Sequence, residues 1–148
     1  MKVVVQRVGR AGVSIAGALK SSIGNGLLVL LGVARDDGPD DVRHIAGKLA
    51  RLRIFEDEGG LMNRSVQDVG GEILVVSQFT LLGDVRRGNR PGFGAAADPE
   101  LAEKLYLEVV EELRAAGIKV ATGEFGAMMD VELLNDGPVT IIIDSHPE

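Results

Sequence analysis

Hydrophobic positions along the chain change their period several times, and each change predicts a boundary between elements. Residues 2–8 form a short β-rich run, whereas residues 26–33 and 72–79 are almost continuously apolar. Unbroken apolar runs of this length are typical of strands that are covered on both faces. Shorter strands are predicted from alternation and turn residues, at 10–16 and 18–22 in a hairpin around Gly17, and at 53–56, 118–123, 127–134 and 139–144.

Two segments instead show the period of an amphipathic helix. In residues 39–52 the apolar positions recur at helical spacing, Asp36 and Asp37 offer N-cap oxygens, and Pro39 suits the first turn. The second helix is predicted from Asp98 as N-cap to Gly117 as the stop. Its buried stripe consists of Leu101, Leu105, Val109 and Leu113.

The order of these elements predicts an α+β fold with roughly seven strands and two helices. We expect a strongly curved or barrel-like, largely antiparallel sheet, with both helices packed on one side. The chain has 148 residues and shows no repeat or linker, so we expect a single domain over residues 1–148, with residues 144–148 as a tail.

Composition narrows the chemistry further. The chain has no cysteine, which excludes disulfides, a thiolate nucleophile and cysteine-bound metal, and which fits a cytoplasmic protein. No apolar stretch approaches the roughly 20 residues of a membrane-spanning helix. The net charge of -6 argues against a protein that coats nucleic acid without specificity, but it is compatible with a local basic site.

Histidine chemistry is not indicated by the two histidines. His44 is expected to be exposed on the first helix, and His146 lies in the tail. Without cysteine or a well-placed histidine, the common catalytic triads are not expected. No cluster of histidine and carboxylate residues has the spacing of a metal site, so no metal site is predicted. The acidic stretch at residues 36–41 is interpreted as a helix cap.

Three segments contain polar or charged residues that a purely structural role does not require. Ser77, Gln78, Phe79 and Thr80 end a buried strand, where they either satisfy the backbone at a turn or form part of a site. Residues 135–140 (NDGPVT) form either a plain turn or a rigid polar site built from main-chain carbonyls. The three arginines of residues 86–91 (RRGNRP), Arg86, Arg87 and Arg90, either solubilise a loop or bind phosphate.

Taken in order along the chain, several motifs resemble the D-aminoacyl-tRNA deacylases of the bacterial type, formerly called D-tyrosyl-tRNA deacylases. The motifs are QRV at 6–8, GLLVLLGV at 26–33, RIF at 53–55, MN at 62–63, LVVSQFTL at 74–81, RGNRP at 87–91 and NDGPVT at 135–140. The resemblance extends from residue 1 to about residue 143. It implies a cytoplasmic homodimer that needs no cofactor and that hydrolyses the ester of D-aminoacyl-tRNA, and also that of glycyl-tRNA.

The resemblance also assigns residues to a pocket. Ser77 to Thr80 line the pocket, and a cis Gly137-Pro138 enters it from the partner subunit. Rigid carbonyls at that motif would accept the substrate ammonium and exclude an L side chain. Backbone N–H groups around residues 78–80 would stabilise the oxyanion. We expect Thr80 and Ser77 to orient groups rather than to attack, because no base for a nucleophile is evident.

The remaining site expectations concern recognition. Phe125 and Met129, together with Phe79, are expected to shape the adenosine pocket, although Met129 also suits a core position. Arg7 is expected to support the Gly-Pro segment, and Arg86, Arg87 and Arg90 to contact tRNA with strong salt dependence. Two alternatives stay open: a non-catalytic nucleic-acid-binding module on the same fold, and an editing relative that acts on a small L-aminoacyl-tRNA.

Overall fold

The computed structural model describes residues 1–147 and contains eight strands, two α-helices and one 3₁₀ helix. The 3₁₀ helix spans Phe79–Leu82. The other elements, in chain order, are β1 (Lys2–Ile15), β2 (Ala18–Ile23), β3 (Gly26–Gly32), α1 (Pro39–Arg51), β4 (Phe55–Glu56), β5 (Met62–Arg64), β6 (Glu72–Ser77), α2 (Pro99–Ala115), β7 (Lys119–Thr122) and β8 (Asp130–Asp144).

Six strands form one strongly curved sheet in the order β2-β1-β3-β6-β7, with β8 on the other edge of β1. Strand β1 is antiparallel to β2, β3 and β8, whereas β3–β6 and β6–β7 are parallel pairs. Helices α1 and α2 lie on the connections that lead to the parallel strands. Ser21 on β2 donates a hydrogen bond to the Thr122 carbonyl at the end of β7 (2.7 Å), which brings the sheet close to a closed barrel. The predicted fold class is confirmed.

The sheet carries a buried cluster on each face. The larger cluster packs both helices against the sheet, and it includes Val29, Ile45, Val75 and Val109. The smaller cluster fills the inside of the curve, around Leu28, Leu74 and Val76 from β3 and β6. Because successive side chains of a strand point to opposite faces, two buried faces explain why β3 and β6 are almost continuously apolar.

The helix termini confirm one predicted cap and correct the other. At α2, Asp98 Oδ1 accepts a hydrogen bond from Leu101 N (3.1 Å), as expected for its N-cap. At α1 the N-cap is Gly38, and Asp41 from the first turn accepts the hydrogen bond of Gly38 N (2.9 Å). The prediction of Asp36 or Asp37 as the cap was wrong because the Asp37 carboxylate is already occupied by Ala34 N and the Met1 ammonium.

Three strand boundaries also differ from the sequence prediction. β1 is one continuous strand of 14 residues, so residues 2–8 and 10–16 are not separate strands. The segments 127–134 and 139–144 likewise belong to a single strand, β8, which contains Gly137 and Pro138. β6 ends at Ser77, and the next polar residues turn into the 3₁₀ helix.

The chain ends are anchored next to each other. The Met1 ammonium donates to Asp37 Oδ1 (2.7 Å) and to Ser145 Oγ (2.8 Å), and Ser145 N donates to the Met1 carbonyl (2.9 Å). His146 Nε2 lies 2.7 Å from Asp41 Oδ1, so the predicted tail is attached to the domain as far as this residue. Among the described residues, no helix is both long and apolar enough to cross a membrane.

Candidate active site

The polar end of β6 forms an exposed turn. Ser77 pairs with Leu31 in the parallel ladder, and the 3₁₀ helix then carries Phe79 and Thr80 to the surface. The Phe79 ring is 55% exposed, which is unusual for one of only four phenylalanines. The end of β6 is therefore accessible to a ligand rather than closed by the core.

The backbone N–H groups of this turn are not equivalent. Gln78 N donates to the Leu31 carbonyl (2.8 Å), so it is not available to an oxyanion. The N–H groups of Phe79 and Thr80 have no hydrogen-bond acceptor within residues 1–147. They are the first donors of a short helix, which has no preceding turn to accept them. The expected set of donors around residues 78–80 is thereby reduced to two.

The hydroxyl groups of the turn have no base beside them. Thr80 Oγ1 accepts a short hydrogen bond from Gln78 Nε2. Within the described part of the chain, neither Ser77 Oγ nor Thr80 Oγ1 contacts a histidine or a carboxylate through a hydrogen bond. A hydroxyl without a base is a weak nucleophile at neutral pH, so this geometry favours an orienting role.

The Gly137-Pro138 peptide bond is cis and lies in an exposed part of β8. The β1–β8 register passes from Val8↔Asn135 to Gln6↔Thr140 and leaves residues 136–139 outside the ladder. Asn135 Nδ2 spans the base of this bulge, because it donates to the carbonyls of Arg7 (2.9 Å) and Val139 (3.1 Å). The bulge is thus held at both ends while its own carbonyls lie outside the ladder.

Arg7 is buried beneath this bulge. Its Nη1 donates to the Ile54 carbonyl (2.6 Å), and its Nε lies 3.2 Å from Asp136 Oδ2 as an ion pair whose angle does not meet hydrogen-bond geometry. Its Nη2 lies 3.0 Å from the position that a β-carbon on Gly137 would occupy. Arg7 therefore contacts the Gly137-Pro138 segment, which it is expected to support.

One chain does not bring the two halves of the expected pocket together. Along β3, Leu31 is the neighbour of Ser77, whereas Leu27 is the neighbour of Arg7 beside the bulge. Four residues of a strand span about 13 Å. In addition, β1 and β3 lie between β8 and β6 in the sheet. Within one chain, the turn after Ser77 and the bulge at Gly137 are therefore separated both along the strands and across the sheet.

Phe125 and Met129 lie on the segment between β7 and β8. Phe125 packs on the larger cluster, with its ring 6.1 Å from that of Tyr106, whose hydroxyl donates to the Val75 carbonyl (3.1 Å). Met129 packs on the smaller cluster, against Gly123. Both side chains are half-buried, and Gly123 N donates to the Val75 carbonyl (3.3 Å), which places the start of this segment beside the end of β6.

The arginine segment forms a loop that is closed at its base. Asp84 and Gly92 exchange two backbone hydrogen bonds (2.8 and 2.9 Å). Arg86 lies against Asp84, whereas Arg87 and Arg90 extend from the exposed part of the loop. The loop lines an open depression of about 740 Å³. We call residues 84–92 the arginine loop.

Comparison with known proteins identifies the family. The family model described as D-Tyr-tRNA(Tyr) deacylase matches residues 4–144. The D-aminoacyl-tRNA deacylase of Anaeromyxobacter dehalogenans is 63% identical over 99% of this chain and 98% of its own length, and that of Syntrophotalea carbinolica is 56% identical over the same shares. The chain belongs to the D-aminoacyl-tRNA deacylase family. The predicted resemblance and the predicted enzyme class, a hydrolase of D-aminoacyl-tRNA, are confirmed.

Solved structures agree on the fold. A structure titled c-Myc DNA Unwinding Element Binding Protein is 45% identical, with a TM-score of 0.93 over 99% of this chain and 100% of that chain. A probable eukaryotic D-amino acid tRNA deacylase has a TM-score of 0.82 at 20% identity, over 96% of this chain and 97% of that chain. The second likeness, at 20% identity, supports the fold alone.

Phe93 of this deacylase lies at the candidate site, although no sequence motif indicates it. Its ring meets Phe79 edge to face, with centroids 5.1 Å apart and planes at 66°. A β-carbon on Gly83 would lie 3.2 Å from the same ring. Phe93 thus connects the base of the arginine loop to the turn after β6. An aromatic residue between two glycines, in a chain with 3% aromatics, was the available signal.

The structure also brings together a cluster of two carboxylates and a histidine near the chain ends. The ligand atoms of Asp37, Asp41 and His146 all lie within 4.8 Å of one another, although their spacing in sequence predicts no such group. The Met1 ammonium already pairs with the buried Asp37 carboxylate. A cation is therefore supplied by the chain itself, and we assign the cluster to anchoring the two ends.

Proposed function

We propose that the chain removes D-amino acids and glycine from tRNA, at a site formed by the turn of one subunit and the Gly137-Pro138 bulge of a second. The family assignment supplies the reaction. The observation that carries the site is the pair of free N–H groups of Phe79 and Thr80 at an exposed turn. Two such donors are suited to the oxyanion that forms when water attacks the ester carbonyl.

The reaction needs little further machinery from the chain. An aminoacyl ester is activated, and the ribose hydroxyl next to it can assist the departing oxygen. Water adds to the ester carbonyl, the Phe79 and Thr80 N–H groups stabilise the negative oxygen, and the C–O bond to ribose breaks to give the free amino acid and tRNA. Gln78 and Thr80, which are hydrogen-bonded to each other, hold the turn and orient the ester.

Selection of the D enantiomer is assigned to the main chain of the bulge. The carbonyls of Gly137 and Pro138 lie outside the β1–β8 ladder and can accept the substrate ammonium. With the ammonium fixed there and the ester fixed at the turn, an L side chain points into the protein and a D side chain points out. Glycine has no side chain to exclude, so glycyl-tRNA is a substrate as well.

The strand register supports a site that is shared between two chains. In one chain the turn and the bulge are separated both along the strands and across the sheet, so a complete pocket is proposed to form across a homodimer. β8 has 15 residues and a free outer edge in this chain, and its Leu134 and Ile142 are 54% and 74% exposed. A long exposed edge with apolar residues is suited to association. A cytoplasmic location is part of the proposal because the substrate is charged tRNA.

The test uses purified protein with D-tyrosyl-tRNA, L-tyrosyl-tRNA and glycyl-tRNA. Rapid loss of the D-tyrosyl and glycyl esters, with the L-tyrosyl ester spared, is the expected result. Stable D-tyrosyl-tRNA at stoichiometric protein would overturn the proposal. Loss of L-alanyl-tRNA with the D ester spared would instead assign the chain to an editing relative.

A second candidate function is nucleic-acid binding without catalysis. It is favoured by the likeness at 45% identity to the DNA unwinding element binding protein and by the basic arginine loop. The two candidates differ in what happens to a bound ester. Binding of a DNA duplex or of uncharged tRNA in gel-shift titrations, together with a D-tyrosyl ester that stays intact in the complex, would favour the second candidate.

A further inference from the structure

The arginine loop contains three arginines in two different situations. The carboxylate of Asp84 accepts hydrogen bonds from Arg86 N (3.0 Å), Arg86 Nε (2.9 Å) and Arg86 Nη2 (2.8 Å). The guanidinium of Arg86 is therefore already paired in the bidentate geometry that a phosphate would use. Its role within the loop is to fix the backbone at residues 84–86.

Arg87 and Arg90 are placed differently. Both are exposed, and neither has a hydrogen bond or an ion pair within residues 1–147. The three arginines and Asp84 give the loop a formal charge of +2 in a chain whose net charge is -6. The arginine loop is thus a locally basic segment of an acidic chain, and its Arg87 and Arg90 have no partner among residues 1–147 that would compete with an anion.

The loop is also fixed relative to the candidate active site. Its base is closed by the paired backbones of Asp84 and Gly92, and Phe93 directly after it packs on Phe79. A preformed loop loses less conformational entropy when it binds than a flexible one does. Arg87 and Arg90 are therefore carried by a loop whose base is packed, through Phe93, on the turn that is proposed to hold the ester.

We propose that the arginine loop is a preorganised phosphate-binding site, in which Arg87 and Arg90 bind backbone phosphates of the tRNA next to its aminoacylated end and Arg86 is a positioning residue held by Asp84. This inference rests on the proposed function, and it distinguishes Arg86 from Arg87 and Arg90, which the sequence predicts together as tRNA contacts. A polyanion fits better than a free phosphate because two separate guanidinium groups, three residues apart, lie on an open surface.

The main experiment compares two substrates that share the ester but not the phosphates: D-tyrosyl-tRNA and D-tyrosyl-adenosine. For the double variant R87Q/R90Q we expect kcat/KM to fall about tenfold more on the tRNA than on the adenosine ester at roughly 0.1 M salt. We also expect the slope of log kcat/KM against log salt to become shallower by about 1.4 to 1.8, which corresponds to two lost phosphate contacts. Equal losses on both substrates, or an unchanged slope, would overturn the inference.

The positioning role of Arg86 is tested by the salt slope. R86Q lowers kcat/KM on the tRNA but keeps the wild-type slope, because Arg86 binds Asp84 rather than phosphate. A slope that falls by about 1 would make Arg86 a direct phosphate ligand and contradict its assignment. D84N removes a negative charge from the loop, so a pure charge effect raises kcat/KM, whereas loss of the positioning contact lowers it. We expect the decrease.

Two controls separate the possible failures. R43Q/R51Q removes the same charge from α1, and we expect it to keep the wild-type rates, salt slope and melting temperature. Wild-type protein that hydrolyses neither substrate would refute the proposed function itself, whereas normal hydrolysis by R87Q/R90Q on both would refute only this inference. Inorganic phosphate is added at constant ionic strength as a further probe. Inhibition by it that is equal on both substrates and that R87Q/R90Q abolishes would assign the site to a small anion instead of tRNA.

Discussion

The Arg7 guanidinium lies directly against Gly137. Arg7 Nη2 is 3.0 Å from the position of a β-carbon on Gly137, and Val139 Cγ2 is 2.8 Å from the same position. Gly137 also has φ of +119°, which L residues rarely adopt. The residue is therefore restricted to glycine both by its backbone and by its neighbours.

We predict that G137A is destabilised by about 1–3 kcal/mol and loses most of its activity, because the bulge shifts to relieve these contacts. Urea unfolding and kcat/KM on D-tyrosyl-tRNA measure the two effects. Gly60 is a matched control, because it has φ of +82° but nothing within 4 Å of its β-carbon position. G60A is expected to show backbone strain alone, with normal kcat/KM. Equal activity losses for both variants would argue against a specific role of the bulge.

The oxyanion role of the Phe79 N–H group is testable with proline. Gln78 precedes the helix with φ of -143° and ψ of 81°, outside the α region that proline disfavours before it, and the first helical position tolerates proline. F79P removes the N–H and the ring, whereas F79A removes only the ring. We predict that kcat for F79P is about 10²–10³-fold below that of F79A. Equal kcat values in folded proteins would remove Phe79 N–H from the mechanism.

The hydroxyl of Thr80 is predicted to be dispensable for the chemical step. Its only hydrogen-bond partner among the described residues is Gln78. T80A should keep single-turnover hydrolysis within about tenfold of the wild type, since a lost orienting hydrogen bond is worth about 0.5–1.5 kcal/mol. T80S, which keeps the hydroxyl, is the control. Complete inactivity of T80A with a normal melting curve and active T80S would establish Thr80 as the nucleophile.

A shared pocket makes a specific prediction for mixed dimers. F79P damages the turn and G137A damages the bulge, so each homodimer has two defective sites. In a heterodimer of the two variants, one site receives both defects and the other receives none. Tandem-affinity purification of the heterodimer should therefore recover about half of the wild-type activity. A heterodimer as inactive as its parents would show that each site is formed within one chain.

Tyr106 provides a pH prediction. Burial raises the pKa of its hydroxyl to about 12, while its hydrogen bonding to Thr122 and the charge of Arg114 act in the opposite direction. Because the ordinary pKa is 10.0, the unfolded chain loses this proton first, and the contribution to stability is lost as pH rises from about 10 through 12. Absorbance at 295 nm should show no tyrosinate at pH 10.5 in the native protein. Appearance of tyrosinate there without unfolding would contradict the buried position.

Local chemistry explains which parts of the fold were predictable. The start of α2 was recognised because Asp98 and Pro99 act within one turn of the chain. The start of α1 was not, because Asp37 is occupied by the distant Met1 ammonium. The apolar pattern predicts a strand through residue 79, whereas β6 ends at Ser77. The difference arises because a single 3₁₀ turn leaves no periodic pattern in the sequence. Nothing local revealed that Phe93 would pack on Phe79.

The candidate site likewise has features that the local sequence predicts and features that depend on distant contacts. Its residue types were recognised from short motifs, but their accessibility required the structure. Three arginines appear equivalent in the sequence, and only the coordinates show that Arg86 is paired with Asp84. Similarly, only the hydrogen bond from Gln78 N to the Leu31 carbonyl shows which donors are free.

The four-residue offset along β3 between the neighbours of Ser77 and of Arg7, which lies beneath the Gly137 bulge, has a kinetic consequence. If each pocket needs two chains, an isolated chain is inactive however well it folds. Specific activity then depends on protein concentration, and at high dilution the initial rate falls with the square of that concentration. The amount of protein that a cell maintains would therefore set a threshold below which D-aminoacyl-tRNA is no longer cleared.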